Sequence, residues 1–297
     1  MPLARGQQGG APSTQSDTAT NAPAGEVKPG QNTLQPGYEV RRDIVYATVG
    51  GKPLLLDVYK PEKLAAALPA VIWIHGGAWT GGDKNGWDRN EVRFKELLYQ
   101  GYIVVSINYR LSYQAKFPAQ IEDCKGAIRF LRANAETYMI DSNRIGVLGT
   151  SAGGHLAALL GTSGNVKELE GDVGGNLNQS SRVQCVVDVT GPTDLGVACT
   201  QSPKMVSPIT RLLGGTPAEK PELATQANPI TFATKDSPPF LIFHPKNDFA
   251  VPLDESELLL AALQAAGVES TLHIHNNAHS WFDMTLVGQF FDAHLKK

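Results

Sequence analysis

Residues 144–161 read RIGVLGTSAGGHLAALLG, and the fold follows from how this stretch changes character at its centre. The first part is a short apolar run of the buried-strand type. The last part, from His155 to Gly161, has the composition of a buried helix. Between them lie Gly149, Thr150, Ser151, Ala152, Gly153 and Gly154. A strand that passes straight into a helix must turn sharply, and glycines two before and two after Ser151 remove side chains where backbone crosses backbone. Such a turn lifts the Ser151 hydroxyl above the sheet. It also places it at a helix N-terminus, where developing negative charge is favoured. A bare G-x-S-x-G is common by chance, and a merely structural Gly-rich turn is the competing reading. The strand before and the helix after favour a nucleophile.

Working outward, short apolar runs recur at regular intervals: 70–75 (AVIWIH), 102–108 (YIVVSIN), 183–189 (VQCVVDV), 239–244 (PFLIFH) and 270–275 (STLHIH). Apolar on both faces, they suit parallel strands covered by helices on each side. Upstream, 39–48 and 53–61 predict a hairpin turning at Gly50-Gly51. In residues 119–138, Ile121, Cys124, Ile128, Leu131 and Ala135 step by three and four, one face of a helix. Residues 254–267 begin with acids and end at Gly267, and 281–297 close the chain with a lysine-rich last turn. The alternation predicts one doubly wound α/β domain over 38–297. Residues 163–182 and 196–235 read as excursions over the sheet's top edge.

The 297 residues suffice for a substantial core, and 42% hydrophobic with 19% charged residues is ordinary for a globular chain. A net charge of −3 gives no reason to expect nucleic acid or an anionic membrane as partner. No apolar run reaches the roughly 18–20 residues that span a bilayer. Cys124, Cys185 and Cys199 lack the spacing of a disulfide framework or a metal site, and the first two read as small core residues. Residues 1–37 are rich in Gly, Pro, Ser, Thr, Gln and Ala and carry little to bury, which predicts a disordered leader. No apolar h-region follows Met1. The leader fits a secreted or periplasmic chain whose signal peptide has been removed, and it fits a cytoplasmic one.

Three further segments carry chemistry. His75-Gly76-Gly77-Ala78-Trp79 ends a strand. A Gly-Gly turn can expose backbone N–H donors to an oxyanion, so Gly76 and Gly77 join the Ala152 amide as a candidate oxyanion hole. His75 reads as a structural tie. Trp79 reads equally as a substrate-pocket wall and as packing. Asp248 lies in the loop after the run 239–244, and His279 in the loop after 270–275. Ser, then Asp, then His is the order used by hydrolases of this layout. Of the seven histidines, only His279 falls in a loop after a strand at the expected end of the sheet. Asp194, Asp254 and Glu255 compete with Asp248 for the role of acid.

Together WIHGGAW, NYRLS with FPAQIED, GTSAGGHLAALLG, GPTDL and PPFLIFHPKNDFAVP resemble the BD-FAE esterases (feruloyl and acetylxylan esterase-like), near the hormone-sensitive-lipase-like esterases. The resemblance covers about residues 38–297. It implies the α/β-hydrolase fold, with a mostly parallel eight-stranded sheet and helices on both faces. It also implies a Ser151-Asp248-His279 triad, an oxyanion loop at Gly76 and Gly77, a small-molecule ester as substrate, and no metal or organic cofactor. An amidase or peptidase would use the same triad, and a non-catalytic binding protein would usually have lost a member of it. The chain departs from the family at Pro245 and Ala278, where glycine is usual, and those changes bear on loop shape. Thr150 stands where the lipase-like branch has Asp, which favours the feruloyl/acetylxylan side.

Overall fold

The computed structural model describes residues 37–86 and 91–296, with no side-chain description for 91–94. The expected leader therefore lies outside the described residues, apart from Gly37. The chain opens with strands β1 (Tyr38–Val49) and β2 (Lys52–Pro61), which pair antiparallel. Gly50 and Gly51, both at positive φ, make the turn. Strand β3 (Leu68–Ile74), helix α1 (Glu91–Tyr99), β4 (Ile103–Ile107) and α2 (Ala119–Ala133) follow. A short α3 (Ala135–Tyr138) leads into β5 (Ile140–Thr150), then α4 (Ala152–Thr162) and β6 (Cys185–Val189). Three helices come next, α5 (Leu195–Gln201), α6 (Pro203–Leu213) and α7 (Pro221–Ala227). The chain ends with β7 (Phe240–Pro245), α8 (Leu253–Ala265), β8 (Ser270–His275) and α9 (Met284–Leu295).

The strands form one eight-stranded sheet in the order β1-β2-β4-β3-β5-β6-β7-β8. All neighbours from β4 to β8 are parallel, and β2 meets β4 antiparallel. Side chains alternate between two cores. In β3, Ala70, Ile72 and Ile74 join one apolar cluster while Val71 and Trp73 join the other. The first cluster holds Ile121, Cys124 and Ile128 of α2, Leu156 and Leu159 of α4, and Leu259 and Leu263 of α8. The second holds Leu97 and Leu98 of α1 with Val287, Phe291 and Leu295 of α9. Helices thus cover both faces, as the apolar runs require. Each fully buried Leu, Ile, Val or Phe contributes about 1.5–3 kcal/mol.

Some elements differ from the sequence expectation. The helix expected over 119–138 breaks at Asn134, whose side chain donates to the Phe130 carbonyl at 2.8 Å. The last helix starts at Met284, because Asp283 caps it by accepting from the Thr285 and Leu286 amides. The excursion 163–182 is polar yet well tied down. Arg129 of α2 is fully buried and donates to the Gly175, Glu170 and Val173 carbonyls at 2.9–3.1 Å. Lys125 donates to the Ser163 carbonyl at 2.7 Å. These cations lie off the apolar stripe, a position that ordinarily faces solvent. Cys124 and Cys185 are buried core residues as read. No helix among the described residues is long and apolar enough to cross a membrane.

Candidate active site

The turn at Ser151 joins β5 to α4 without a linker. Ser151 itself sits at φ 55°, ψ −120°, a conformation that L-residues seldom hold. Its amide donates to the Val189 carbonyl at 2.7 Å and its carbonyl accepts from the His155 amide at 3.0 Å. Those bonds hold the strained residue in place. The glycines answer to close approach: a Cβ on Gly149 would strike the Gly153 carbonyl, and one on Gly153 would strike the Ile74 carbonyl.

The loop after β3 lies directly against this turn. A Cβ on Gly76 would lie 2.7 Å from the Thr150 carbonyl oxygen and 3.4 Å from the Ser151 Cβ. Gly77 adopts φ 111°, and its carbonyl accepts from the Thr80 and Gly81 amides. Neither the Gly76 nor the Gly77 amide makes a backbone hydrogen bond among the described residues. The Ala152 amide opens α4, where helical N–H groups have no intrahelical acceptor. The three candidate donors therefore flank one serine.

His75 ties the loop as expected. Its Nδ1 donates to the Gly76 carbonyl at 2.7 Å, its ring stacks on Tyr109 at 4.3 Å, and the Tyr109 hydroxyl donates to its carbonyl. Burial pushes its pKa down to about 4, so it carries no charge here. Trp79 is a correction to the pocket-wall reading. It is 0% exposed, and its Nε1 donates to His155 Nδ1 at 3.1 Å. His155 Nε2 in turn donates to the Ala227 carbonyl at 2.7 Å. Burial likewise holds His155 neutral, with its pKa lowered to about 4. Trp79 belongs to packing, and it links the loop after β3 through α4 to the end of α7.

The loops after β7 and β8 bring Asp248 and His279 together. His279 Nδ1 donates to Asp248 Oδ2 at 2.7 Å, with side chains 17% and 0% exposed respectively. Asp248 Oδ1 accepts from the Ala250 and Val251 amides, both at 2.8 Å. Burial alone would raise the Asp248 pKa. The His279 bond and the two amides outweigh it and lower the pKa below the usual carboxylate value. His244 braces the same loop, donating from Nε2 to the Val251 carbonyl while Nδ1 accepts from Ser256 Oγ. Thr150 and Ser280, the chain neighbours of Ser151 and His279, line one cavity of about 260 Å³ with His75 and Gly76. The histidine loop and the serine turn thus border one cavity. Ala278 keeps an ordinary φ, and the left-handed residue of that loop is Ser280 at φ 65°.

The competing acids are engaged elsewhere. Asp194 caps α5, accepting from the Gly196 and Val197 amides. Glu255 is buried and accepts from the Thr193 and Asp194 amides at 2.6 and 2.7 Å. Asp254 accepts from Gln201 Nε2 at 2.6 Å. No group of three or more His, Cys, Asp or Glu side chains is arranged to hold a metal among the described residues.

Two residues of interest escaped the sequence reading. Phe249 follows Asp248, is 64% exposed, and sets its ring 5.2 Å from that of His279. A lone aromatic in a polar loop was the available signal. Asp188 sits inside β6, wholly buried beside the serine turn, with Oδ1 accepting from the Gly191 amide and Oδ2 without a hydrogen-bond partner among the described residues. Burial pushes its pKa up to about 7, and the Gly191 bond offsets only part of that. The native state therefore holds a proton that the unfolded chain releases near pH 4. Stability falls as pH rises through the window between about 4 and 7, by up to roughly 4 kcal/mol for so large a shift. Asp188→Asn should shrink the difference in Tm between pH 5 and pH 8. Scanning calorimetry at the two pH values checks this, and an unchanged difference removes Asp188 as its source.

Comparison with known proteins agrees with this layout. The BD-FAE family model matches residues 56–263. Esterase LipQ of Mycobacterium tuberculosis is 33% identical over 246 residues, which is 82% of this chain and 57% of LipQ. The chain thus spans little more than half the length of that curated relative. Among solved structures, a truncated carbohydrate esterase from gut microbiota superposes with a TM-score of 0.78 at 32% identity, covering 89% of this chain and 99% of that one. A bifunctional GH43-CE protein of Bacteroides eggerthii gives 0.77 at 37% identity, covering 86% of this chain and 38% of its own. The sheet order, the serine turn and the family match converge: this chain has the α/β-hydrolase fold and belongs to the BD-FAE family.

Proposed function

We propose that the protein hydrolyses short-acyl carboxylic esters, with Ser151 as nucleophile, His279 as base and Asp248 as its supporting acid. The observation that carries the reading is the His279 Nδ1–Asp248 Oδ2 bond, made between the loops after β7 and β8. With Nδ1 committed as a donor, Nε2 is the atom left to take a proton. Ser151 Oγ attacks the ester carbonyl as Nε2 takes its proton. The Gly76, Gly77 and Ala152 amides receive the oxyanion, and removal of one such donor costs about 3–4 kcal/mol in comparable sites. The C–O bond to the alcohol then breaks, and the leaving oxygen takes the proton from Nε2. Water repeats the sequence on the acyl-enzyme and frees the acid. Asp248 holds the imidazole in its working tautomer and stabilises the imidazolium. None of these steps calls for a metal or an organic cofactor.

The carbohydrate-esterase name of one solved relative, and the acetyl ester-xyloside hydrolase name of another from Caldicellulosiruptor lactoaceticus, support a carbohydrate ester, and acetyl or feruloyl esters of plant polysaccharide are the proposed substrate class. The test is a screen of p-nitrophenyl esters from C2 to C12, run beside acetylated xylan, methyl ferulate and the matching p-nitroanilides. Activity is expected to peak at C2–C4 and to be far higher on esters than on anilides. A peak at C10 or longer overturns the short-acyl reading. Anilides cleaved as fast as esters would point to an amidase instead.

A further inference from the structure

The oxyanion donors come from two separate elements. Gly76 and Gly77 belong to the loop after β3, and Ala152 opens α4. Donors that converge on one oxygen need a fixed mutual geometry, so the loop has to be held against the helix. Close backbone contacts at Gly76 and Gly153 set how near the two elements come. They do not set how the loop is turned about that contact.

The loop adopts an unfavourable course. Gly77, Ala78 and Trp79 follow one another at φ 111°, 54° and 56°. Glycine takes such angles freely, but alanine and tryptophan seldom hold them, and the surroundings must impose them. Gly77 and Ala78 have no side chain that could make a polar bond. Trp79 has one. Its indole is fully buried, and Nε1 donates to His155 Nδ1 at 3.1 Å, with the two rings edge to face at 88°. The Trp79 carbonyl accepts from the Ser112 amide at 2.7 Å. His155 lies on the first turn of α4, and its own amide donates to the Ser151 carbonyl at 3.0 Å. One residue thus bonds the serine through its backbone and the loop after β3 through its ring. The far nitrogen, Nε2, donates to the Ala227 carbonyl at 2.7 Å. That bond places the ring proton on Nε2 and leaves Nδ1 as the acceptor an indole N–H requires.

We propose that Trp79 and His155 are positioning residues, and that the bond between their side chains turns the strained loop so that the Gly76 and Gly77 amides converge with the Ala152 amide on the oxyanion. This rests on the ester-hydrolase reading and adds the residues that aim its donors. Both side chains are fully buried, so neither touches the ester. The carbonyl oxygen carries its full charge only near the transition state. A loop turned out of place therefore slows turnover and leaves substrate binding nearly as it was.

The test compares wild type, Trp79→Phe, His155→Leu and His155→Asn for kcat and KM on p-nitrophenyl acetate, each after a thermal melt that shows it folded at the assay temperature. Trp79→Phe keeps a buried ring and loses the N–H. His155→Leu keeps bulk and loses the acceptor. In His155→Asn the amide oxygen stands close to the place of Nδ1 and can accept from the indole again, while nothing replaces Nε2. Trp79→Phe and His155→Leu are expected to lower kcat about 10- to 100-fold, the scale of a small misplacement in an active site, with KM within about threefold of wild type. His155→Asn should turn over at least about fivefold faster than His155→Leu, the effect of restoring one hydrogen bond. The pH midpoint of kcat/KM reports the base and should stay where it is in every variant. A folded Trp79→Phe with wild-type kcat overturns the proposal. So does a raised KM at unchanged kcat, which would make the pair a support of the substrate pocket, and so does a moved pH midpoint, which would make it act through His279. Equal losses in His155→Asn and His155→Leu overturn it too, since what both lack is the bond to Ala227. Where a variant at one residue fails to fold, the variants at the other decide. A wild type inactive on p-nitrophenyl acetate overturns the ester reading, and the proposal with it; with an active wild type, the contrary outcomes above overturn the proposal alone.

Discussion

Ser151→Ala is expected to lower kcat by about six orders of magnitude, the loss seen when a nucleophile is removed from a comparable triad. What remains is binding and the oxyanion donors, which the change leaves in place. The fold should be indifferent. Serine and alanine both carry a Cβ, so φ 55° at this position strains them alike. The Ser151 side chain makes no capping bond to α4. The glycines that shape the turn are untouched. Loss of the hydroxyl should then change stability by no more than about 0.5 kcal/mol. Turnover of p-nitrophenyl acetate and a thermal melt check both halves. A well-purified variant that keeps more than about a tenth of wild-type turnover removes Ser151 as nucleophile.

Asp248→Asn should lower kcat by roughly 10⁴, the size of the effect when the wrong imidazole tautomer is imposed. The geometry says how. Oδ1 of Asp248 accepts two amides. In the variant the amide oxygen must keep that place, because an NH₂ there would face two N–H donors. The NH₂ group then points at His279 and can only donate, so Nδ1 becomes an acceptor and the ring proton moves to Nε2. A base protonated at the reacting nitrogen cannot take the Ser151 proton. Asp194→Asn is the control. Asparagine caps helices as well as aspartate does, so α5 keeps its start and activity should stay within a few-fold of wild type. A crippled Asp194→Asn in a folded protein, beside a mild Asp248→Asn, would exchange the two roles.

How much of this could be read in the sequence depends on how local each determinant is. The apolar runs place six of the eight strands, because strands covered on both faces are mostly apolar, and the Gly50-Gly51 turn places the other two. The order of strands across the sheet is a property of crossovers and had to come from the fold type. The serine turn is legible because its glycines answer to backbone contacts within a few residues. Trp79 was undecided for the opposite reason. Its partner His155 lies 76 residues away, and nothing in its own segment says whether its ring faces substrate or α4. At Asn134 the backbone leaves helical geometry at φ −113°, ψ 22°, a break that the period of the apolar residues does not register. Arg129 and Lys125 look like solvated positions until the excursion after α4 folds its carbonyls onto them. Asp248 stood out from Asp194 by its place in strand order. What Asp194 does instead, capping α5, is a property of the folded chain.

The three helices α5–α7 are inserted between β6 and β7, whereas the serine, the acid and the histidine follow β5, β7 and β8. The insertion therefore behaves as a cassette. It supplies none of the three residues proposed for the triad, and it carries Lys204 over the ring of Phe249. The rest of the domain anchors it along its length: the Phe117 amide and Lys116 Nζ donate to the Leu212 and Arg211 carbonyls, and Met205, Ile209 and Leu212 lie in the first apolar cluster. Glu255 grips the Thr193 and Asp194 amides at one end, and His155 grips the Ala227 carbonyl at the other. Both grips act on backbone atoms, which any residue supplies. A segment transplanted from a relative would have to keep those apolar positions as well as return its chain to those two places.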